Sequence, residues 1–102
     1  MSYKPLYALR ADRDSACEEL IELLSWWVDE EELRQRLDDY CCCNMQATHA
    51  RWWIEDRIDA RPTKARATML SIWADVMDAV VAVSEAERRE VAELIACGGK
   101  VA

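Results

Sequence analysis

Apolar side chains recur every three or four residues through most of this chain, which is the spacing of one face of an α-helix. The clearest early series consists of Cys17, Leu20, Ile21, Leu24, Trp27 and Val28. It predicts a first helix over residues 15–28, in which Ser15 and Glu18 form a capping box at the start. Residues 1–11 lack the pattern, and we expect them to form an irregular lead-in.

A second helical segment covers residues 30–60, and its stretch over residues 40–58 carries apolar side chains on two opposite sides. Either Asp29 or Glu30 starts it, because acidic residues favour the positive end of a helix. A helix that is apolar on two sides lies between two layers, or between the core and another chain. One continuous helix would span about 45 Å, which is long for this chain, so a break near Cys43 and Asn44 is the alternative.

Pro62 ends the second segment and opens a third helix over residues 62–83, since proline is tolerated in a first helical turn. This third helix is apolar nearly all round, which is typical of a central helix or a subunit interface. A second capping box, Ser84 to Glu87, predicts a fourth helix over residues 85–97, which the glycines at 98 and 99 would end.

The predicted fold class is therefore all-α, a small bundle of about four helices in a single domain over residues 1–102. With 52% hydrophobic residues and only two glycines and two prolines, the composition fits a packed helical fold. Four short helices cannot bury that much apolar surface internally, so we expect a homodimer with the second and third predicted helices at the interface. The predicted interface residues are Met69, Trp73, Val76 and Val80.

Two Trp-Trp pairs, at positions 26–27 and 52–53, indicate a second kind of surface. Neighbouring helical side chains point about 100° apart, so one tryptophan of each pair faces away from the core. Trp27 falls on the core face, whereas Trp26 falls on the acidic side of the first helix. Tryptophan and arginine dominate the energetics of many interfaces. The predicted partner-binding residues are Trp26, Glu19, Glu22, Trp52, Trp53, Arg57 and Arg61.

The charge balance narrows the choice of partner. The net charge is −7, and residues 1–39 carry 11 acidic and 5 basic side chains. An acidic protein is poorly suited to nucleic acid or to an anionic membrane, and it suits a partner with a basic surface. Only residues 51–66 form a basic region, with Trp52 and Trp53 interleaved. A nucleic-acid-binding protein that uses this region is therefore the alternative.

Five cysteines, at positions 17, 41, 42, 43 and 97, give an odd count. The first nine residues lack the pattern of a signal peptide, so we expect reduced thiols and a cytoplasmic location. No uninterrupted run of 18 apolar residues occurs, and we expect no membrane-spanning helix.

The candidate chemistry is sparse. Three consecutive cysteines on a helix point in different directions and cannot converge on one zinc ion. On a continuous helix, Cys42, Met45 and His49 would share one face. Residues of these types can bind a soft metal ion, so a soft-metal site there is a weaker alternative. There is no glycine-rich phosphate loop and no serine nucleophile elbow. We expect no catalytic residue, no metal and no cofactor, and a small helical enzyme is the second alternative.

The sequence therefore predicts a small, acidic, cytoplasmic regulatory or inhibitory protein that works by protein–protein binding. It would dock on and block a partner such as a transcription factor or a nucleic-acid-handling complex.

Overall fold

Four helices and their short connections make up the part of the chain that the computed structural model describes, residues 4–98, with side chains up to residue 96. Helix α1 spans Leu6–Leu24, α2 spans Glu30–Cys41, α3 spans Ala47–Asp59 and α4 spans Thr63–Gly98. No strand occurs within residues 4–98. The prediction of an all-α small bundle is confirmed.

The first and last helices form one antiparallel pair. Leu23, near the end of α1, lies beside Ala65 and Met69 in the first turns of α4. At the other end, Arg10 Nη2 lies 3.4 Å from Glu87 Oε2. Helices α2 and α3 form a second pair, and the whole described chain measures 58 × 31 × 17 Å. A helix of 36 residues is about 54 Å long, so α4 sets the length of the molecule.

The core takes one apolar face from each helix, which is what the three-and-four spacing of the sequence requires. Trp73 of α4 is 1% exposed, and the rings of Tyr40 and Trp73 have their centroids 5.1 Å apart. The largest fully buried side chains are Trp73, Leu20, Leu24, Leu33, Ile54, Ile58, Met69 and Val76.

Helix α1 begins and ends earlier than predicted. It starts at Leu6, so the irregular lead-in over residues 1–11 is wrong for residues 6–11, and residues 1–3 lie outside the described residues. The carbonyl of Pro5 accepts hydrogen bonds from the amides of Ala8 and Leu9, which starts the helix without a serine cap. Ser15 consequently lies in mid-helix, and the predicted capping box is wrong.

The predicted 30–60 segment is two helices, so the alternative of a break near Cys43 and Asn44 is confirmed. Cys43 adopts a φ of +51°, a left-handed conformation that ends the helical path. The side chain of Asn44 accepts a hydrogen bond from the Gln46 amide at 2.8 Å, which stabilises the turn. The break lets α3 fold back against α2, as a continuous helix could not.

Residues 62–83 and 85–97 belong to one helix instead of two, so the second predicted capping box is also wrong. Val83 and Ala86 are both buried, and the core face therefore continues through the expected boundary. The hydroxyl of Ser84 accepts a hydrogen bond from Arg88 Nη2 at 3.2 Å, within the helix. Gly98 is the last residue of α4, and Gly99 lies outside the described residues.

By length and composition alone, α4 over Thr63–Ala96 is long and apolar enough to cross a membrane. The sequence predicts no membrane-spanning helix because it has no uninterrupted run of 18 apolar residues. The mean hydropathy of 1.4 over an 18-residue window of α4 does not support that prediction. Central helices of bundles have the same composition, because they bury a broad apolar face. Of that window 28% is buried within the chain itself.

The residues predicted for the dimer interface lie in the core of the single chain. Met69, Trp73, Val76 and Val80 are at most 6% exposed. These side chains fill the interior of the single chain, and their place at a dimer interface stays a prediction.

Candidate partner-binding surface

The connection between α1 and α2 brings two adjacent tryptophans to the surface. Trp26 is 83% exposed and Trp27 is 48% exposed. The amides of Trp27 and Val28 both donate to the carbonyl of Leu24, so the backbone turns immediately after α1. The prediction that Trp26 faces away from the core is confirmed. The placement of Trp27 on the core face is wrong, because the helix ends three residues before it.

A cavity of about 350 Å³ lies beside these two tryptophans, between the end of α1 and the start of α4. Its lining residues are Leu23, Trp26, Trp27, Ala65, Thr68 and Met69. Thr68 is the one polar member of this set. The cavity is open to solvent and can accept an apolar side chain from another molecule, because most ligand pockets combine an apolar lining with a few polar groups.

Arginines pack against tryptophans along the neighbouring surface. The guanidinium carbon of Arg61 lies 5.5 Å from the centroid of the Trp27 ring, and Arg61 Nε donates to the carbonyl of Arg57 at 3.0 Å. Arg57 in turn lies 4.7 Å from the centroid of Trp53, and Arg36 of α2 lies 5.4 Å from the same ring. We call Trp27, Arg61, Arg57, Trp53 and Arg36 the tryptophan–arginine row.

Each arginine of the row lies over an aromatic face. Such cation–π contacts contribute about 0.5–1 kcal/mol each at exposed sites. Arg57 also pairs with Asp56 at 3.0 Å. A surface whose long side chains are already ordered loses less conformational entropy when a partner binds.

Sequence reasoning found part of this surface and missed the rest. Of the predicted partner-binding residues, Trp26 lines the cavity, and Trp53, Arg57 and Arg61 belong to the row. Trp27 was missed because the helix was extended too far. Arg36 was missed because only the pairing of α2 with α3 brings it to Trp53, and no spacing along the chain encodes that contact.

Trp52, which was also predicted for partner binding, lies elsewhere. It is 60% exposed, and its ring packs edge-on against His49 with centroids 5.7 Å apart. The opening that it lines is acidic, with Glu55, Asp56 and Asp59 as neighbours. Trp52 therefore does not belong to the tryptophan–arginine row.

The two predicted acidic contacts, Glu19 and Glu22, are exposed on α1. Neither lines the cavity beside Trp26. The prediction placed Glu19 and Glu22 on the same helical face as Trp26. That face does not form, because α1 ends at Leu24, before Trp26.

The basic region at 51–66 is largely compensated within the chain. Arg51 lies 3.2 Å from Glu55, Arg57 lies 3.0 Å from Asp56, and Arg66 lies 3.6 Å from Asp59. Phosphate binding depends on basic groups that neutralise backbone charge. Local ion pairs reduce that capacity, so the structure gives the nucleic-acid alternative little support.

The predicted metal-binding face does not form, because the helix that would align Cys42, Met45 and His49 is interrupted between them. Met45 is 95% exposed. Within the residues described, no group of three or more histidine, cysteine or carboxylate side chains is arranged to hold a metal ion.

Comparisons with protein-family models, with curated proteins and with solved structures find no match. No relative therefore supplies a residue role or an activity for this chain.

Proposed function

We propose that this chain is a small, acidic, non-enzymatic regulatory or inhibitory protein that docks on another protein and blocks it. The docking surface consists of the cavity beside Trp26 and Trp27 and the adjoining tryptophan–arginine row. The observation that carries the proposal is Trp26, a large aromatic side chain that is 83% exposed at the rim of an apolar cavity. Tryptophans in such positions are typical anchors of protein interfaces.

The charge of the surrounding helices favours a partner with a basic surface. The first turn of α2, directly after the tryptophans, contains Glu30, Glu31 and Glu32. The net charge of the chain is −7, so a basic partner would be attracted over a distance and oriented on approach. In this proposal the partner inserts an apolar side chain into the cavity and places basic groups against the acidic start of α2. A transcription factor or another nucleic-acid-handling protein has a surface of this kind.

The test combines capture with a quantitative titration. The wild-type chain is used to capture proteins from nuclease-treated lysate of the source cell, and the captured protein is purified and titrated with each variant. Trp26→Ala removes the anchor, and Thr68→Phe fills the cavity. We expect each change to weaken binding at least about 30-fold, as for a hot-spot residue, and added salt to weaken the wild-type complex further.

Trp52→Ala is the matched control, since Trp52 is also an exposed tryptophan but lies outside the cavity and the row. Its affinity should stay within about threefold of wild type, the range expected for a peripheral contact. Unchanged binding by both Trp26→Ala and Thr68→Phe would reject this docking surface. Recovery of nucleic acid that depends on Arg57 and Arg61 would replace the proposal with the alternative function.

We also propose that the chain forms a homodimer, with an interface different from the buried residues first predicted. Leu70, Val81, Val91 and Ile95 of α4 are 47%, 53%, 54% and 70% exposed. They lie on one heptad series, 70, 74, 77, 81, 84, 88, 91 and 95, which is the spacing of a helix–helix seam. The occupant we propose is α4 of a second copy, because an identical chain carries the same 26-residue seam and gives a two-fold interface.

Light scattering tests this interface through the molar mass. The wild-type chain should have twice the monomer mass of 11.8 kDa, and Val81→Glu/Ile95→Glu should reduce it to one chain. Ala11→Glu/Ser15→Glu adds the same charge to exposed positions of α1 and should remain dimeric. A wild-type mass of one chain, or a dimer that survives both seam substitutions, would reject the proposed interface.

A further inference from the structure

Two cysteines that are 24 residues apart in the chain lie in contact in the fold. Cys17 Sγ of α1 is 3.7 Å from Cys41 Sγ at the end of α2. Both are free thiols, and Cys17 is 9% exposed. Disulfide formation needs two sulfurs that can approach to about 2.05 Å. Here the two sulfurs are already in contact, so the bond requires a further approach of about 1.7 Å.

A bidentate ion pair on the surface connects α1 and α2 near the two thiols. Arg34 of α2 contacts the carboxylate of Glu18 of α1 at 2.7 and 3.2 Å. Paired guanidinium and carboxylate groups of this geometry fix orientation as well as distance. Glu18 directly follows Cys17, and Arg34 lies two helical turns before Cys41, so the ion pair connects α1 and α2 on the same side as the thiols.

A cavity gives small molecules access to the pair. It has a volume of about 310 Å³ and is open to solvent. Both thiols line it, together with Cys42 and with charged side chains that include Arg13 and Asp38. The thiols are thus shielded from large molecules, while a small polar reactant can reach them.

The two thiols differ chemically, and the difference assigns their roles. The pKa of Cys41 is lowered, first by the hydrogen bond that it shares with the Cys17 thiol and then by the positive charge of Arg13. The same hydrogen bond and burial raise the pKa of Cys17. Cys41 is also the more exposed of the two thiols, so it is the attacking residue and Cys17 the resolving residue.

We propose that Cys17 and Cys41 form a thiol–disulfide exchange site whose co-substrate is a low-molecular-weight disulfide. The Cys41 thiolate attacks one sulfur of the small disulfide, which forms a mixed disulfide and releases the first small thiolate. Cys17 then loses its proton and attacks Cys41 Sγ, which forms the Cys17–Cys41 disulfide and releases the second small thiolate. The protein loses two electrons and two protons, and one small disulfide becomes two small thiols.

The proposal is independent of the docking surface, because the thiols lie between α1 and α2 and line a different cavity from Trp26. It is tested by exposing the reduced full chain to glutathione disulfide and mapping the products by mass spectrometry. We expect an intact mass lower by two hydrogens and a peptide pair linked between residues 17 and 41. Cys17→Ser should instead accumulate the mixed disulfide at Cys41, and Cys41→Ser should react at least about tenfold more slowly.

The matched control is the variant Cys42→Ser/Cys43→Ser/Cys97→Ser, which retains only Cys17 and Cys41. It should form the same disulfide at the wild-type rate. Circular dichroism first establishes that each variant is helical. If a serine variant fails to fold, the peptide map of the wild-type chain still decides the question. Glutathione bound stably at Cys42 or Cys43 as the main product, or disulfides between chains only, would overturn the proposal.

Discussion

The indole nitrogen of Trp73 donates a hydrogen bond to Glu55 Oε2 at 3.1 Å, which joins the buried face of α4 to α3. The same carboxylate oxygen accepts a hydrogen bond from Arg51 Nε at 3.2 Å. A buried indole N–H without a partner is costly. Glu55 therefore allows Trp73 to lie in the core, and among the described side chains no buried nitrogen or oxygen lacks a hydrogen-bond partner.

Replacing Glu55 with alanine is expected to destabilise the chain. The substitution leaves the indole N–H of Trp73 buried without an acceptor, and we expect the free energy of unfolding to fall by about 1–3 kcal/mol. Glu55→Gln keeps an acceptor oxygen and should have a smaller effect. Urea unfolding measures both variants, and equal losses for alanine and glutamine would show that the hydrogen bond is not the cause.

The tryptophans should separate into structural and surface residues. Trp73→Ala removes a side chain that is 1% exposed and is expected to cost about 3–5 kcal/mol of unfolding free energy. Trp26→Ala removes an exposed side chain and should change that free energy by no more than about 0.5 kcal/mol. Thermal or urea unfolding makes the comparison. A large loss for Trp26→Ala would mean that Trp26 supports the fold, and its use as a binding probe would then fail.

The start of α2 depends on one side-chain cap. Asp29 Oδ2 accepts a hydrogen bond from the amide of Glu32 at 2.9 Å. Removing this cap in Asp29→Ala should lower the free energy of unfolding by about 0.5–2 kcal/mol, whereas Asp29→Asn, which keeps an acceptor, should lose less. Glu31→Ala is the control, because it lies in the same first turn. Comparable losses for Glu31→Ala and Asp29→Ala would indicate a general charge effect instead of a cap.

The two neighbouring thiols Cys41 and Cys42 should titrate in opposite directions. The pKa of Cys41 is lowered by the Cys17 thiol and Arg13, and that of Cys42 is raised by partial burial and by the Asp38 carboxylate. Alkylation by iodoacetamide follows the thiolate fraction, so its pH midpoint should lie below the ordinary thiol value for Cys41 and above it for Cys42.

Peptide mapping across a pH series measures the pH midpoint of alkylation for each thiol. Accessibility alters the absolute rate of alkylation but leaves this midpoint unchanged. Cys17→Ala removes the donor and should move the Cys41 midpoint to higher pH. The Cys42 midpoint serves as the internal reference in that variant. Coincident midpoints for Cys41 and Cys42 in the wild-type chain would contradict this pH prediction.

The interruptions of the helices were only partly encoded in the local pattern. Pro62 restricts the backbone and separates α3 from α4 as predicted, since α4 begins at Thr63. Ser84 satisfies the local signature of a cap, yet α4 continues through it because Val83 and Ala86 are buried on the same face. Packing along a neighbouring helix outweighs a capping preference of about 1 kcal/mol.

The sequence by itself determined the all-α class and the core-facing positions within α1 to Leu24, because these follow from helical periodicity within single segments. Only the tertiary structure decided which segments meet. It placed Arg36 over Trp53 and Cys17 against Cys41, and it buried Met69, Trp73, Val76 and Val80 within one chain. Spacing along the chain fixes the direction of a side chain, whereas its contacts depend on how the helices pair.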